Sequence, residues 1–413
     1  MKLVPRYSTG AVYVVANVAV AVVNIGIIPF LVSHLSPDEY GRIGVFNLLV
    51  SIFTALIGLD TLSALTRKIY NDPIGLESRA RLTSTVVLVT LVTGLLFAGV
   101  GALIIYVVPA AYVLVQGYDW MWIAVLTAIA LSLMRVRQVN WQVDNNAVPF
   151  ATMQVLNAGI ATLLTIALMT QMWPTALSRV LAICTAALLF AFYGMKSLHR
   201  DGYLRRQYVT RRAGYDLLSY GLPLMPHSLG LFLVSSLDRI FVASWTSLAQ
   251  FGVYTLATQA GSVVILFLDS INTALVPKIF SKLEGSESMA ASRQRLKHLL
   301  WLAYAFPVVM LALAASAAQF VRTFYPAGPY GAVATPAVVL VLAVSLMAPI
   351  YVLSNMALFH NQTKQLSFST LLSGGVNMVL VVVLTQRFGI NGAATATFLA
   401  YGFRLALMLR MFR

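Results

Sequence analysis

Cysteine is all but missing from this 413-residue chain. Cys184 stands alone, which excludes a disulfide framework and any cysteine-based metal site. Charge is scarce as well: Asp, Glu, Lys and Arg make up 10% of the residues, against about 25% in a globular domain. The five histidines (His34, His199, His227, His298, His360) are scattered without metal-ligand spacing, so no metal site is expected. No GxxxxGK phosphate loop occurs. ATP-driven work by this chain alone is therefore not expected, nor is any cofactor.

Apolar sequence is abundant. Hydrophobic residues are 59% of the chain and the mean hydropathy is +0.83. A soluble exterior needs polar groups that this composition cannot supply, whereas lipid removes the need. A helix crosses a bilayer with about 20 mostly apolar residues. On that measure the spans fall at 10–35, 41–65, 83–108, 119–139, 147–170, 176–196, 216–241, 250–277, 298–321, 333–356, 366–386 and 390–411. The runs are too long and too little alternating for barrel strands, and an open sheet cannot sit in lipid. The first run is too long for a cleavable signal core and reads as an uncleaved helix. The fold class expected is all-α integral membrane.

Basic residues orient the spans. With the N-terminus inside, only Arg42, Arg179, Arg239, Arg322 and Arg387 of the 28 Lys and Arg residues lie at outer ends. Both termini are thus expected in the cytoplasm. The net charge of +15 sits mostly between apolar runs, which fits membrane topology rather than nucleic acid. The most basic inner segment, 197–215, divides the spans six and six and can attract anionic lipid. The expected organisation is an N-terminal six-helix bundle (1–196), a basic cytoplasmic linker (197–215) and a C-terminal six-helix bundle (216–413). The halves echo each other: SPDEYGRIGVF from Ser36 aligns with SLAQFGVYTLA from Ser247, placing Tyr40-Gly41 over Phe251-Gly252. Asp60 and Asp269 agree to within two positions. Two parallel repeats suggest rocking bundles around a central cavity.

Four segments carry a family likeness: HLSPDEYGRIGVF (34–46), YGLPLMPHSLG (220–230), LDRIFVASWTSLAQFGVYTLATQ (237–259) and FGINGAATATFLAY (388–401). In order and at these spans, the chain resembles the O-antigen and polysaccharide flippases of the multidrug/oligosaccharidyl-lipid/polysaccharide exporter superfamily. The resemblance implies twelve helices, alternating access in a bacterial inner membrane, and no enzymatic activity. It implies as cargo an oligosaccharide repeat unit of O-antigen, exopolysaccharide or capsule on undecaprenyl pyrophosphate. Membrane lipids, a polysaccharide polymerase and chain-length machinery are the partners it suggests. The related peptidoglycan-precursor flippases usually have fourteen helices, and this chain has no room for two more.

Polar groups inside spans invite a functional reading. Guanidinium can bond two phosphate oxygens at once, so Arg42, Arg135, Arg239 and Arg404 are candidates for a cationic lining. Each alone can instead snorkel to headgroups. Arg137 also marks the inner end of the fourth helix, and Asp238 beside Arg239 weakens that site. Asn17 and Asn24 share a face, and either bond sugar hydroxyls or join helices. Asp269 either binds a coupling proton or cation or ties two helices together. Asp60, nearer its helix end, is expected to reach interfacial water or pair with Arg67 or Lys68. His227 follows Pro223 and Pro226, and either satisfies a carbonyl that proline frees or titrates on a kinked helix. Two competing functions remain: a multidrug or organic-cation antiporter of the same superfamily, which would favour acidic residues, and a membrane polysaccharide polymerase or ligase, which would favour a large outer loop.

Overall fold

The computed structural model describes the backbone of residues 6–71, 75–107, 120–285, 288–324, 328, 330–360 and 362–411, with most of their side chains. Among these residues there is no strand. The backbone groups into two compact units, Met1–Leu35 with Arg42–Ser236, and Ser36–Gly41 with Leu237–Arg413.

The first unit opens with α1 (Arg6–Gly26) and α2 (Ile28–His34), one apolar run interrupted at Ile27. Pro29 explains the interruption, because it has no N–H to donate to the carbonyl of Ile25. The next expected span, 41–65, is broken. It is built from α3 (Pro37–Leu56) and α4 (Thr61–Asn71), which meet at 52°. Gly58, Leu59 and Asp60 all have positive φ (83°, 47° and 57°). Glycine takes this conformation freely and Asp tolerates it better than most residues, so the strain falls chiefly on Leu59, at about 1 kcal/mol or more. Hydrogen bonds hold the break: Gly58 N donates to Thr93 Oγ1 (2.9 Å) and Thr61 N to Gly58 O (2.9 Å). Gly221 lies so close that a Cβ there would sit 2.4 Å from Leu59 O.

Four long helices follow: α5 (Leu76–Val107), α6 (Met121–Val143), α7 (Ala147–Gln171) and α8 (Ala176–Arg200). Buried alanines on α6 (Ala124, Ala128, Ala130) and α8 (Ala182, Ala186, Ala187) let these two helices pack closely. Next comes α9 (Arg211–Trp245), helical through both Pro223 and Pro226. Leu65, Val86, Val136, Leu198 and Leu217 join α4, α5, α6, α8 and α9 in one buried cluster.

The second unit contains the first turn of α3, the end of α9, and α10 (Leu248–Leu283), α11 (Met289–Arg295), α12 (Lys297–Phe324), α13 (Ala334–Ser345), α14 (Met347–Phe359) and α15 (Thr363–Met411). The turn of α3 lies on the start of α10, where Gly41 and Gly252 meet. A Cβ on Gly252 would stand 2.0 Å from Pro37 O, and one on Gly41 2.1 Å from Leu248 O. These are the glycines that the internal echo aligns. Tyr40, Phe251 and Tyr254 are fully buried beside them, and Tyr40 Oη donates to Gln259 Oε1 (2.8 Å). Elsewhere the core is Leu283, Leu296, Ile350, Leu353, Met356 and Met408.

Helix α15 is two passes. A straight helix would hold Thr370 and Arg404 about 51 Å apart at 1.5 Å per residue. Instead Arg404 Nη2 donates to Thr370 Oγ1 at 3.0 Å. The chain folds back at Gly389 (φ 58°, ψ −138°), a conformation open to glycine. Among the described residues nine helical runs are long and apolar enough to cross a membrane, ten with the bent pair α3–α4. The last of the nine is α15, two passes by this fold-back, and α9 has 35 residues. Every span expected from the sequence thus has a helical counterpart. Large apolar side chains point outward along these helices, among them Leu95, Phe192, Leu302 and Leu371, as a lipid-facing surface requires.

Candidate functional site

The second unit gathers charged and phenolic groups from α9, α10, α14 and both passes of α15. Asp238 and Arg239 come from the end of α9, Tyr254 and Asp269 from α10, Tyr351 from α14, and Thr370, Tyr401 and Arg404 from α15. Tyr254 Oη donates to Asp238 Oδ2 (2.6 Å), and Tyr351 Oη donates to Asp269 Oδ1. Tyr401 lies within electrostatic reach of Asp238, Arg239 and Arg404, and Tyr351 within reach of Asp269, Tyr401 and Arg404. These are one set of interacting groups. Beside them Asn355 Nδ2 donates to Asn272 Oδ1 (2.8 Å).

The two arginines are incompletely satisfied. The Nε atoms of Arg239 and Arg404 are buried and have no hydrogen-bond partner among the described residues. Among the described residues no carboxylate is ion-paired with either: Asp238 is committed to Tyr254 and Asp269 to Tyr351. Leaving a buried donor unmet costs about 1–3 kcal/mol, more when the group is charged. Arg137 is the contrasting case. Its Nε is also unmet, but its charge is matched by Asp201 and its plane lies over Trp141 at 4.3 Å.

The remaining expected site residues lie in the first unit and are not gathered. Arg135 is exposed on α6, whereas Arg137 two residues on is buried in its ion pair. Arg42 is exposed on α3, with its guanidinium 6.0 Å from the Trp120 ring. Asn17 Oδ1 accepts from Gln154 Nε2 (3.1 Å), an interhelical bond between α1 and α7, and Asn24 is exposed. The side chain of His227 lies outside the described residues.

Asp60 does not make the ion pair that the sequence offers it. It pairs with neither Arg67 nor Lys68. Lys68 Nζ goes to Asp216 (3.2 Å), and Arg67 lies over Tyr220 at 4.5 Å. The Asp60 carboxylate accepts instead from Ser63 Oγ (2.5 Å) and Ser228 Oγ (2.7 Å). The break in the helix turns Asp60 toward α9, and a straight span could not have shown this. The sequence singles out Asp269 and Arg404 as charges inside apolar runs and Arg239 as a cation at an outer helix end. Sequence reasoning missed Tyr254, Tyr351, Tyr401 and Thr370. Tyrosine is ordinary in membrane helices, and the signal available was only its recurrence on helices that also carry a charge.

Comparison with known proteins agrees with this architecture. The model of a family described as "Polysaccharide biosynthesis protein" matches residues 9–284. An "Uncharacterized membrane protein" of Haemophilus influenzae is 27% identical over 369 residues, 88% of this chain and 86% of that one. "Lsg locus putative protein 1" of the same organism is 22% identical over 390 residues, 92% of this chain and 91% of that one. Among solved structures, the lipid II flippase MurJ in an inward closed conformation gives a TM-score of 0.71 at 14% identity, covering 98% of this chain and 87% of that one. An inward-facing multidrug resistance MATE family transporter of the MOP superfamily gives 0.63 at 14% identity, covering 97% and 93%. At these identities the solved structures speak for the fold.

Proposed function

Because the chain belongs to the polysaccharide biosynthesis protein family, we propose that it flips undecaprenyl-pyrophosphate-linked oligosaccharide repeat units between membrane leaflets by alternating access. The reading includes an inner-membrane location and cytoplasmic termini. One observation carries it: Arg239 and Arg404 keep buried N–H donors that no described protein group uses. A pyrophosphate offers several charged acceptors, and guanidinium can bond two of them at once. The tyrosine hydroxyls around these arginines suit sugar hydroxyls, and the polyprenyl tail remains in lipid.

The energetics favour such a site. Carrying a charged head through hydrocarbon unaided costs on the order of ten kcal/mol. Fixed guanidinium groups replace the hydration that is lost. Moving one negative charge outward also gains about 2.3 kcal/mol per 100 mV when the inside is negative. Coupling to a proton or cation through Asp269 is compatible with this and not required by it. Asp60 belongs to the same proposal as a second carboxylate that can load and release a cation. The lipid II flippase that shares the fold supports a lipid-linked cargo.

The test is complementation of a strain lacking its own oligosaccharide flippase. The expected result is restored surface polysaccharide and no accumulation of lipid-linked sugar on the inner leaflet. A second reading, drug or organic-cation antiport, is favoured by the MATE structure and by the exposed carboxylate of Asp269. Drug resistance on expression, without a polysaccharide phenotype, would select it.

A further inference from the structure

A second basic site lies away from this cluster, where α11 meets α12. A pocket of about 450 Å³ is lined by Arg293, Gln294, Lys297, Leu300, Trp301 and Tyr304. We propose that this pocket binds the headgroup of an anionic phospholipid.

The site is built rather than incidental. Helix α11 is fixed from behind. Ser292 Oγ is 2.7 Å from His360 Nε2, and Arg295 donates to the carbonyls of Glu284 and of Gly285 (3.2 Å) at the end of α10. Arg295 is therefore occupied in capping a helix. Arg293 and Lys297, on the other face, are ion-paired with no carboxylate among the described residues. Arg293 is half-buried beside Tyr304, whose hydroxyl feels its charge.

The order of groups matches one class of ligand. Lys297 begins a membrane-crossing run, Lys297–Gln319. Trp301 is one turn further in and 67% exposed, and Leu302 is 70% exposed. Tyr304 follows about 10 Å beyond Lys297 at 1.5 Å per residue. Cations, then an indole ring, then aliphatic surface is the sequence a phosphodiester head and its acyl chain would meet. Tryptophan favours that interfacial depth. Because Trp301 and Leu302 are exposed on a membrane-crossing face, the bulk bilayer is the natural source of the ligand. Pockets of this volume suit a headgroup.

The experiment uses purified full-length protein and titrates phosphatidylglycerol and phosphatidylcholine, reading bound lipid by native mass spectrometry. Phosphatidylglycerol is expected to bind more tightly. Lys297→Gln and Arg293→Gln should each weaken it about fivefold, and the double variant about twenty-five-fold, at roughly one surface cation's contribution apiece. Arg205→Gln with Arg206→Gln, in the basic linker, should leave this site's binding unchanged. Lys297 is exposed, so its variant keeps the fold, and melting of each variant confirms that. Equal binding of both lipids, or full binding by the folded double variant, would overturn the proposal. So would inorganic phosphate binding with the same Arg293 dependence, which marks a free-anion site. Displacement by undecaprenyl phosphate at lower concentration would overturn it in favour of the carrier lipid.

Discussion

Arginine stands in two settings in this chain, and the completeness of its partners separates them. Arg79 is a structural residue. Its guanidinium bonds Asp144 through Nη1 (2.6 Å) and Nη2 (3.0 Å), Asn140 Oδ1 through Nε (3.0 Å), and stacks over Tyr203. Removing one partner of a buried pair costs about 3–5 kcal/mol. Asp144 is 40% exposed, so solvent screening lowers the expected cost of Asp144→Ala to about 1–3 kcal/mol. Thermal unfolding of the purified variant checks this. Arg404 should behave in the opposite way: Arg404→Gln removes an unmet donor, so melting should hold or rise. The sequence alone places Arg79 on the inner side, Arg137 at the inner end of the fourth helix, and Arg404 among the candidates for a cationic lining. It could not foresee the partners, because Asp144 and Asp201 lie 65 and 64 residues away from their arginines. The same holds for Asp60, whose partner Ser228 is 168 residues distant.

Helix ends and breaks depend on a few glycines and prolines. The reversal within α15 needs Gly389, whose φ and ψ disfavour any side chain. Gly389→Ala should lower the melting temperature by the equivalent of about 1–3 kcal/mol. Gly402 lies in the second pass with open space around it. Gly402→Ala should be neutral or stabilising by up to about 1 kcal/mol, the ordinary helix gain. Equal destabilisation by both would contradict this account of the turn. Gly41 and Gly252 form a third case. A methyl on either would collide with backbone carbonyls, which cannot rotate away. Gly252→Ala should therefore cost about 1–3 kcal/mol and reduce folded protein in the membrane. Wild-type melting would contradict the close approach. Hydropathy located these helices because a span needs a continuous apolar run, and the run itself is visible. The α3–α4 break was not visible. Only Gly58 marks it, while Leu59 and Asp60 take conformations that no residue pattern announces.

For the whole molecule, composition was enough to require a bilayer, and span counting was enough to locate the long apolar helices, though not the short α11 between two of them. Compactness and span counting divide the chain differently. The expected boundary lies in the linker at 197–215, whereas the compact units divide within α9, at Ser236 and Leu237. A helix that belongs to one half by repeat can pack with the other, and sequence reads only the first property. Orientation is a prediction at this scale. Reporter fusions after residue 205 and at the C-terminus should both report the cytoplasm, as the basic loops require. A periplasmic signal from either would contradict the topology.

The central claim is that Arg239 and Arg404 hold the charged head of a lipid-linked sugar. The direct measurement is leaflet-to-leaflet transfer of undecaprenyl-pyrophosphate oligosaccharide in vesicles reconstituted with wild type or with Arg239→Gln and Arg404→Gln together. Loss of two charge-assisted contacts at about 1.5–3 kcal/mol each predicts at least a hundredfold slower transfer, with melting unchanged. Transfer at the wild-type rate by the folded double variant would contradict the claim.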